Sequence, residues 1–417
     1  MGESMITKKN IFLILLIILV SSASVYALDF SGNLTYSGQY NLSEQNLSNT
    51  LNLDLNFVHN FTDEVFAEGD LVIKYSDKSS TNPFMIIPKE IYLGAYDLIP
   101  QVDIRAGMLI ISWGSSDMFS PLDNFNPSPP GISFTDMSKK NGVWAVDTTY
   151  YLNDITYLQA IYLPNFSPSF MPEGYEEQLY LSMFSPEFQA QGMEINSVNI
   201  THAFPENPAW GIKLGRSFAS FDAAISYYNG YYLNAYPEIV DPIPGPSGMI
   251  LNLGLGYPQK SVFGFEFQGD FPGIEGATLR GDLAYIVPQT WQFQGENILK
   301  DPYIKAVIGA DYTTSSNLYL NVGFIWGFYS LEEGNECSPY IYLNANKELE
   351  DSKLTPEYIG IISLHDGSMV NSIGASYDFT DDFSVTLSYV SVFGNQDSKL
   401  GQLGSVEGIY LSGEWSF

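Results

Sequence analysis

Polar and apolar residues alternate along most of this chain. In the run LNLDLNF at 51–57, every odd-numbered position is apolar and every even-numbered position is polar. Successive side chains of a β-strand point to opposite faces, so a period of two predicts a strand with one apolar and one polar face. No helical period longer than a turn or two accompanies this alternation. We count sixteen such runs, at 30–40, 51–57, 65–75, 91–97, 102–112, 143–151, 157–163, 210–216, 221–228, 262–271, 277–287, 304–312, 318–328, 369–377, 383–393 and 407–417.

The connections between these runs alternate in length. Short ones at 61–64, 97–101, 152–155, 217–220, 272–276, 313–317 and 379–382 separate long ones at 41–48, 76–82, 113–141, 164–208, 229–261, 288–302, 330–368 and 394–405. Short periplasmic turns and long external loops are typical of bacterial outer-membrane barrels. The sequence therefore predicts an all-β fold, a transmembrane antiparallel up-and-down β-barrel of about sixteen strands, with fourteen to eighteen left open.

One run is assigned to a loop by this topology. Residues 358–365 (YIGIISLH) alternate weakly, but counting them as one more strand would put the turn at 379–382 on the wrong side of the membrane. We therefore expect them to belong to an external loop. The alternative to the barrel as a whole is a secreted β protein whose polar strand faces lie outside.

The N-terminus predicts export. Lys8 and Lys9 precede an apolar run at 11–20, and small or β-branched residues stand at Val25 and Ala27. This order is typical of a secretory signal peptide, with cleavage expected after Ala27, and a retained anchor helix is the alternative. We expect a signal peptide at 1–27 and a single barrel domain at 28–417.

Charged residues within the runs fall on the face opposite the apolar one. A charge facing lipid would cost about 2–4 kcal/mol at mid-depth, so this segregation suits a bilayer. The set expected to face the lumen is Asp54, Glu68, Asp70, Lys74, Asp103, Arg105, Asp147, Lys213, Asp222, Glu266, Asp270, Arg280, Asp282, Lys305, Asp311 and Glu414. Acids outnumber bases, which predicts a modest preference for cations. The simpler interpretation of each residue is a solvated wall position without a ligand.

The amino-acid composition argues against several other classes of protein. The formal net charge of -30 disfavours nucleic acid as a partner, and 45% hydrophobic with 15% aromatic residues is far from a disordered chain. The single cysteine, Cys337, excludes an intramolecular disulfide. No nucleophile, zinc or phosphate-binding motif is present, and His365 beside Asp366 is the only hydrolase candidate. We expect no enzyme, no catalytic residue, no metal and no cofactor.

One stretch departs from plain strand and turn. Residues 105–131 read RAGMLIISWGSSDMFSPLDNFNPSPPG, in which a strand passes into a loop rich in Pro, Asp and Asn. Proline fixes φ and Asx side chains close local turns, so this loop should be stiff. We expect 113–141 to fold back into the barrel and narrow it, with an ordinary external loop as the alternative. The residues expected at this constriction are Trp113, Asp117, Phe119, Pro121, Asp123 and Phe125.

The same stretch resembles a family of porin-like bacterial outer-membrane barrels, largely of unknown function, in which an R-x-G strand leads into W-G-x-x-D and then P-x-D-x-F-N-P. The match is good over 105–131 and diffuse elsewhere, as at 210–216 (WGIKLGR). The resemblance implies a barrel, an outer-membrane location and transport of something small, and it implies no substrate. Oxygen side chains at Asp117, Asp123, Asn124 and Asn126 match no dedicated calcium loop, and turn capping accounts for them.

The closing run, EGIYLSGEWSF, places Trp415 and Phe417 on its apolar face. It resembles the C-terminal strand of outer-membrane barrels, which implies that the barrel-assembly machinery reads these two aromatics. The expected partners are outer-membrane lipid, that machinery and small solutes, and a homo-oligomer is left open. The function that follows is a passive porin-like channel in the bacterial outer membrane. The alternatives are a surface protein such as an adhesin, acting through its long loops, and uptake of hydrophobic molecules.

Overall fold

The computed structural model describes residues 29–43, 45–77, 83–117, 119–128, 140–169, 175–190, 192, 194–246, 248–327, 337–349, 352–395 and 397–417. The predicted signal peptide and its cleavage point lie outside these residues. Among the described residues, no helix is both long enough and apolar enough to cross a membrane.

Strands dominate the described chain. In order, the elements are β1 (Asp29–Asn41), β2 (Asn46–Asn60), β3 (Val65–Ser76), β4 (Phe84–Ile99), β5 (Val102–Leu109), β6 (Val143–Asn153), β7 (Thr156–Leu163), α1 (Tyr175–Ala190), β8 (Ile195–Ala203), β9 (Ala209–Ser217), β10 (Phe221–Tyr231), β11 (Tyr236–Gly245), β12 (Gly248–Gly256), β13 (Gln259–Asp270), β14 (Ala277–Pro288), β15 (Trp291–Phe293), β16 (Glu296–Leu299), β17 (Tyr303–Thr313), β18 (Leu318–Trp326), β19 (Pro339–Lys347), β20 (Leu354–Ser363), β21 (Met369–Thr380), β22 (Phe383–Phe393), a 3-10 helix (Gly401–Val406) and β23 (Gly408–Ser416).

Eighteen of these strands form one sheet, which excludes only β8, β11, β12, β15 and β16. Each of these eighteen strands pairs antiparallel with the next one of the set, and the pairs β7–β9, β10–β13 and β14–β17 pass over the excluded strands. The sheet closes because β1 also pairs with β23, with Gly38 opposite Leu411. The fold is therefore a closed antiparallel β-barrel, as the alternation of the sequence predicts.

The two faces of the barrel wall differ as the period of two requires. On β6, Trp144 and Val146 are 55% and 40% exposed, whereas Val143 and Ala145, which alternate with them, are 1% and 4% exposed. The exposed face carries large apolar side chains on strand after strand, from Leu51 on β2 to Leu411 on β23. We call this the exterior face and the opposite one the interior face.

The barrel has eighteen strands, the upper end of the predicted range of fourteen to eighteen, and the two beyond the sixteen counted runs are β19 and β20. Residues 358–363 of the predicted external loop form the greater part of β20, and β19, which the alternation does not predict, pairs with it. Two added strands leave the order of the connections intact, so the topological objection to one extra strand does not apply. Both strands bury apolar side chains on the interior face, with Tyr340, Tyr342 and Ile361 each about 1% exposed, and this hides the alternation.

The expectation of no helix is also wrong. α1 lies in the connection between β7 and β9, where Tyr180, Phe184 and Phe188 recur every four residues and are buried. This stripe packs on a small sheet in which β12 pairs antiparallel with β11 and parallel with β8. The connections predicted as plain loops at 164–208 and 229–261 thus build a separate small core beside the barrel.

The short connections show local turn chemistry. Between β17 and β18, the Thr314 hydroxyl accepts the N–H of Leu318 at 3.1 Å, and Asn317 adopts a φ of 59°. Asparagine tolerates this left-handed conformation better than most residues. At the seam, Gly32 and Phe417 exchange two backbone hydrogen bonds of 3.0 Å, which extend the pairing of β1 with β23 by one residue.

Candidate functional site

The connection after β5 turns onto the interior face of the barrel. Asn126 closes its base: the amide oxygen accepts the N–H of Ile111 at 2.8 Å, and the amide nitrogen donates to the carbonyls of Leu109 and Asn141. The N–H of Ile110 donates to Glu90 on β4 at 2.6 Å. Both ends of the connection are thereby held together. We call residues 111–117 and 119–126 the inner segment; residues 129–139 of the predicted constriction loop lie outside the described residues.

Apolar side chains fix the inner segment to the wall. Trp113, Leu122 and Phe125 are 2%, 1% and 1% exposed. The Phe125 ring meets Trp113 and Tyr228 of β10 edge-on, at centroid distances of 4.7 Å and 5.0 Å. The Trp113 indole N–H donates to Gln159 of β7 at 3.0 Å. These contacts remove the apolar rings of the inner segment from water, which stabilises its position on the wall.

Two carboxylates of the wall receive backbone N–H groups of the inner segment. Glu266 on β13 accepts the N–H of Gly114 at 2.8 Å, and Asp282 on β14 accepts those of Ser115 and Ser116 at 2.8 Å and 3.0 Å. Gly114 has a φ of 101°, and a Cβ there would collide with the side chains of Ser120 and Asp282. Glycine is therefore required where the segment meets the wall.

The tip of the inner segment reaches further round the barrel. Asp117 forms an ion pair with Arg280 of β14 and accepts a hydrogen bond from Asn321 of β18 at 2.9 Å. Arg280 also contacts Asp311 of β17 at 2.6 Å. Phe119 packs against an apolar cluster on the interior face that contains Tyr342 of β19. The segment thus contacts the wall from β7 to β19.

The remaining residues of the predicted constriction serve the segment's own structure. Asp123 pairs with Lys140 at 2.8 Å; burial raises the pKa of this carboxyl, and the nearby ammonium opposes that effect. The Pro121 carbonyl accepts from the side chain of Asn124 at 3.2 Å. The oxygen side chains considered for calcium therefore turn to different partners. The described residues contain no cluster of three or more His, Cys, Asp or Glu that could hold a metal.

Other members of the predicted charged set meet in pairs. Arg105 contacts Asp147 at 2.6 Å, and Lys213 contacts Glu266 at 3.1 Å. Asp54 and Asp70 both lie near Lys89, at 2.6 Å and 3.7 Å. Glu68 accepts the hydroxyl of Tyr92, and Asp103 that of Tyr151. The structure does not bring Asp222, Asp270 or Glu414 into these contacts, and Lys74 and Lys305 stand on β3 and β17.

Sequence reasoning missed Lys89 and Glu90. Both lie on β4, which begins at Phe84, whereas the predicted strand starts at residue 91. The pairing of β3 with β4 shifts register between Asp70 and Leu71, so the parity of β4 changes near Pro88. The acidic residues of β2 and β3 outnumber their basic ones, and this excess could have predicted a basic residue on the adjacent strand.

The hydrolase candidate has a structural use. Asp366 accepts the hydroxyl and the N–H of Ser368 at 2.6 Å and 3.0 Å, and the N–H of Lys399 at 2.6 Å. Slight desolvation raises the pKa of this carboxyl, but these hydrogen bonds outweigh it and hold the pKa below its ordinary value. Asp366 thus ties the turn after β20 to the connection before β23.

The predicted assembly aromatics lie on the exterior face. Trp415 and Phe417 are 50% and 46% exposed, with ring centroids 5.6 Å apart. Phe417 also lies 6.1 Å from Phe30 of β1, so the two aromatics straddle the seam of the barrel.

Fold and interior together define a closed antiparallel β-barrel whose fifth connection folds onto its inner wall. No protein-family model and no curated protein matches this chain. Among solved structures, a mutant of Rhodopseudomonas blastica porin is similar at 12% identity and a TM-score of 0.45, covering 94% of this chain and 100% of that chain. A triple mutant of that porin gives 12% identity, a TM-score of 0.44 and the same coverage. Likeness at this level carries no functional argument.

Proposed function

We propose that the chain is a porin-like channel of the bacterial outer membrane through which small hydrophilic solutes diffuse passively. The observation that carries this proposal is the contrast between the barrel's two faces. Large apolar side chains cover the exterior face, as lipid requires, while ion pairs and polar side chains occupy the interior face. Barrels of sixteen to eighteen strands are wide enough to leave an aqueous channel.

The inner segment is the proposed constriction of this channel. Its contacts with β7, β13, β14 and β18 support that role, because they carry it across the wall instead of away from the barrel. The ion pairs of Asp117 and Arg280 would then stand at the narrowest point. A fixed field of opposite charges there would orient polar solutes as they pass.

Purified protein should conduct ions in a planar lipid bilayer. We expect discrete single-channel steps, and swelling of protein-containing liposomes in small neutral sugars but not in large ones. A matched bilayer with detergent alone controls for leakage. A folded protein that gives no conductance and no swelling would contradict the channel and favour a surface-binding role for the long connections.

A modest preference for cations belongs to the same proposal. Acids outnumber bases among the charged residues of the interior strands, and unbalanced charge in a narrow pore biases ion entry.

Replacing Asp70 and Asp270 together by lysine should shift the reversal potential in a salt gradient toward anions. Replacing Asp63 and Asp154, which lie in exposed turns outside the strands, makes the same change in net charge. Those positions should have a smaller effect, because salt screens charges beyond about 10 Å at 0.1 M. Equal shifts in the two double variants would mean that Asp70 and Asp270 do not line the ion path.

A further inference from the structure

Aromatic rings line part of the interior face near the short connections. We call Phe66 of β3, Tyr92 and Tyr96 of β4, and Tyr151 of β6 the aromatic arc. The Phe66 ring lies 4.9 Å from Tyr96 and 6.1 Å from Tyr92, in both cases edge-on. Tyr96 and Tyr151 are each 41% exposed. Asp103 joins them, since it pairs in register with Tyr96 and accepts the hydroxyl of Tyr151 at 3.0 Å.

The backbone is shaped to hold this arc. A Cβ at Gly94, midway between Tyr92 and Tyr96, would collide with the Phe66 ring. The missing side chain therefore lets that ring lie across β4 and support the exposed face of Tyr96. The arc is a built surface and not a scatter of separate rings.

The carboxylates beside the arc are already engaged. Glu68 accepts the Tyr92 hydroxyl at 2.6 Å, and Asp103 accepts the N–H of Asp97 at 3.1 Å as well as Tyr151. The Arg105 guanidinium stands 5.7 Å from the Tyr92 ring and pairs with Asp147. Hydrogen bonds and the Arg105 ion pair occupy these charged groups, so the contact surface left open here is that of the exposed rings of Tyr96 and Tyr151. An aromatic ring suits a ligand that has an apolar face of its own.

Uncharged polar groups continue the wall beside the arc. Asn60 of β2 pairs in register with Phe66, and Thr149 of β6 pairs in register with Asp103, so both lie next to the arc on the interior face. Neither has a side-chain hydrogen bond to another described residue. Their amide and hydroxyl groups can thus donate to and accept from a solute.

We propose that the aromatic arc is a binding subsite for neutral saccharides. A sugar ring has an apolar C–H face, which packs on an aromatic ring, and a rim of hydroxyl groups, which the neighbouring amide and hydroxyl side chains satisfy. This assignment rests on the proposed channel and names the class of solute that the channel favours.

Block of single-channel current by cellotriose, a neutral linear trisaccharide, tests the assignment. Cellotriose should reduce the current saturably, and Tyr96→Leu should raise the half-blocking concentration roughly two- to tenfold, the range expected for loss of one stacked ring. Tyr96→Phe keeps the ring and should stay near the wild type. If Tyr96→Leu does not fold, Tyr151→Leu makes the same test on the other exposed ring.

Tyr150→Leu is the matched control. Tyr150 neighbours Tyr151 on β6 but is exposed on the exterior face, so its removal should leave the block unchanged. A conducting channel without saturable cellotriose block would overturn the saccharide subsite and leave the proposed channel standing. Stronger block by tetraethylammonium that depends on Tyr96 would also overturn it, in favour of organic cations. Absence of conductance would overturn both proposals.

Discussion

Replacing Asp282 by alanine is expected to raise the single-channel conductance and the size limit for neutral sugars. Asp282 is 3% exposed and receives the N–H groups of Ser115 and Ser116. Hydrogen bonds to a charged group contribute about 1.5–3 kcal/mol each, so losing two weakens the docking of the inner segment by about 3 kcal/mol or more. At 1.4 kcal/mol per factor of ten, the ratio of displaced to docked segment rises roughly a hundredfold.

Two further variants make this result specific. Asp282→Asn keeps an acceptor oxygen and should give a smaller increase than alanine. Asp270→Ala removes the same charge from the neighbouring strand, at a side chain with no hydrogen bond or ion pair to the described residues of the inner segment. It should leave the sugar limit unchanged. If Asp282→Ala and Asp270→Ala conduct alike, the inner segment is not the constriction.

Leu387→Arg is expected to destabilise the folded protein in a bilayer by about 2–4 kcal/mol, the cost of a cation facing lipid near mid-depth. Leu387 lies at the middle of β22 and is 55% exposed on the exterior face. Urea unfolding of protein inserted in lipid vesicles measures this free energy.

Thr386→Arg places the same side chain one residue earlier, on the interior face. It costs the 2.8 Å hydrogen bond between Thr386 and Ser376, about 1 kcal/mol, but the guanidinium can stay hydrated in the lumen. We therefore expect Leu387→Arg to be the more destabilising of the two. The reverse order would mean that the exterior face of β22 does not meet lipid.

Strands were predictable wherever their two faces differ in polarity. β2 alternates strictly because its interior face carries the polar side chains of Asn52, Asp54 and Asn56 while its exterior face is apolar. β19 and β20 do not, because Tyr340 and Ile361 fill the interior beneath the 3-10 helix at Gly401–Val406. A period of two depends on a difference between the faces, and a strand that is apolar on both faces has none.

The helix was missed for a different reason. Tyr180, Phe184 and Phe188 stand at the spacing of an amphipathic helix, but Pro186 interrupts the stretch and reads as a helix breaker. Burial of the apolar stripe on the small sheet outweighs that local preference. The spacing of four was the signal that could have identified it.

The candidate site was only half predictable. The Trp-Gly turn and the sequence rich in Pro, Asp and Asn were enough to predict the inner segment, because these residues determine the conformation of their own stretch of backbone. Its partners could not be read, because Glu266 and Asp282 lie 152 and 167 residues beyond the groups they bind. Such pairings depend on which strands become neighbours in the closed barrel, and periodicity alone does not specify this.

Closure of the sheet has a consequence for the growing chain. The Gln39 side chain of β1 donates a hydrogen bond to the Tyr410 hydroxyl of β23, although the two residues are 371 positions apart in the sequence. Within the described barrel every strand has two neighbours, whereas an intermediate that lacks β23 exposes two long unpaired edges. Such edges recruit strands from other chains, so aggregation competes with folding until the last strand pairs. Because that contact spans nearly the whole chain, its loop-closure entropy makes the final pairing a slow step as well.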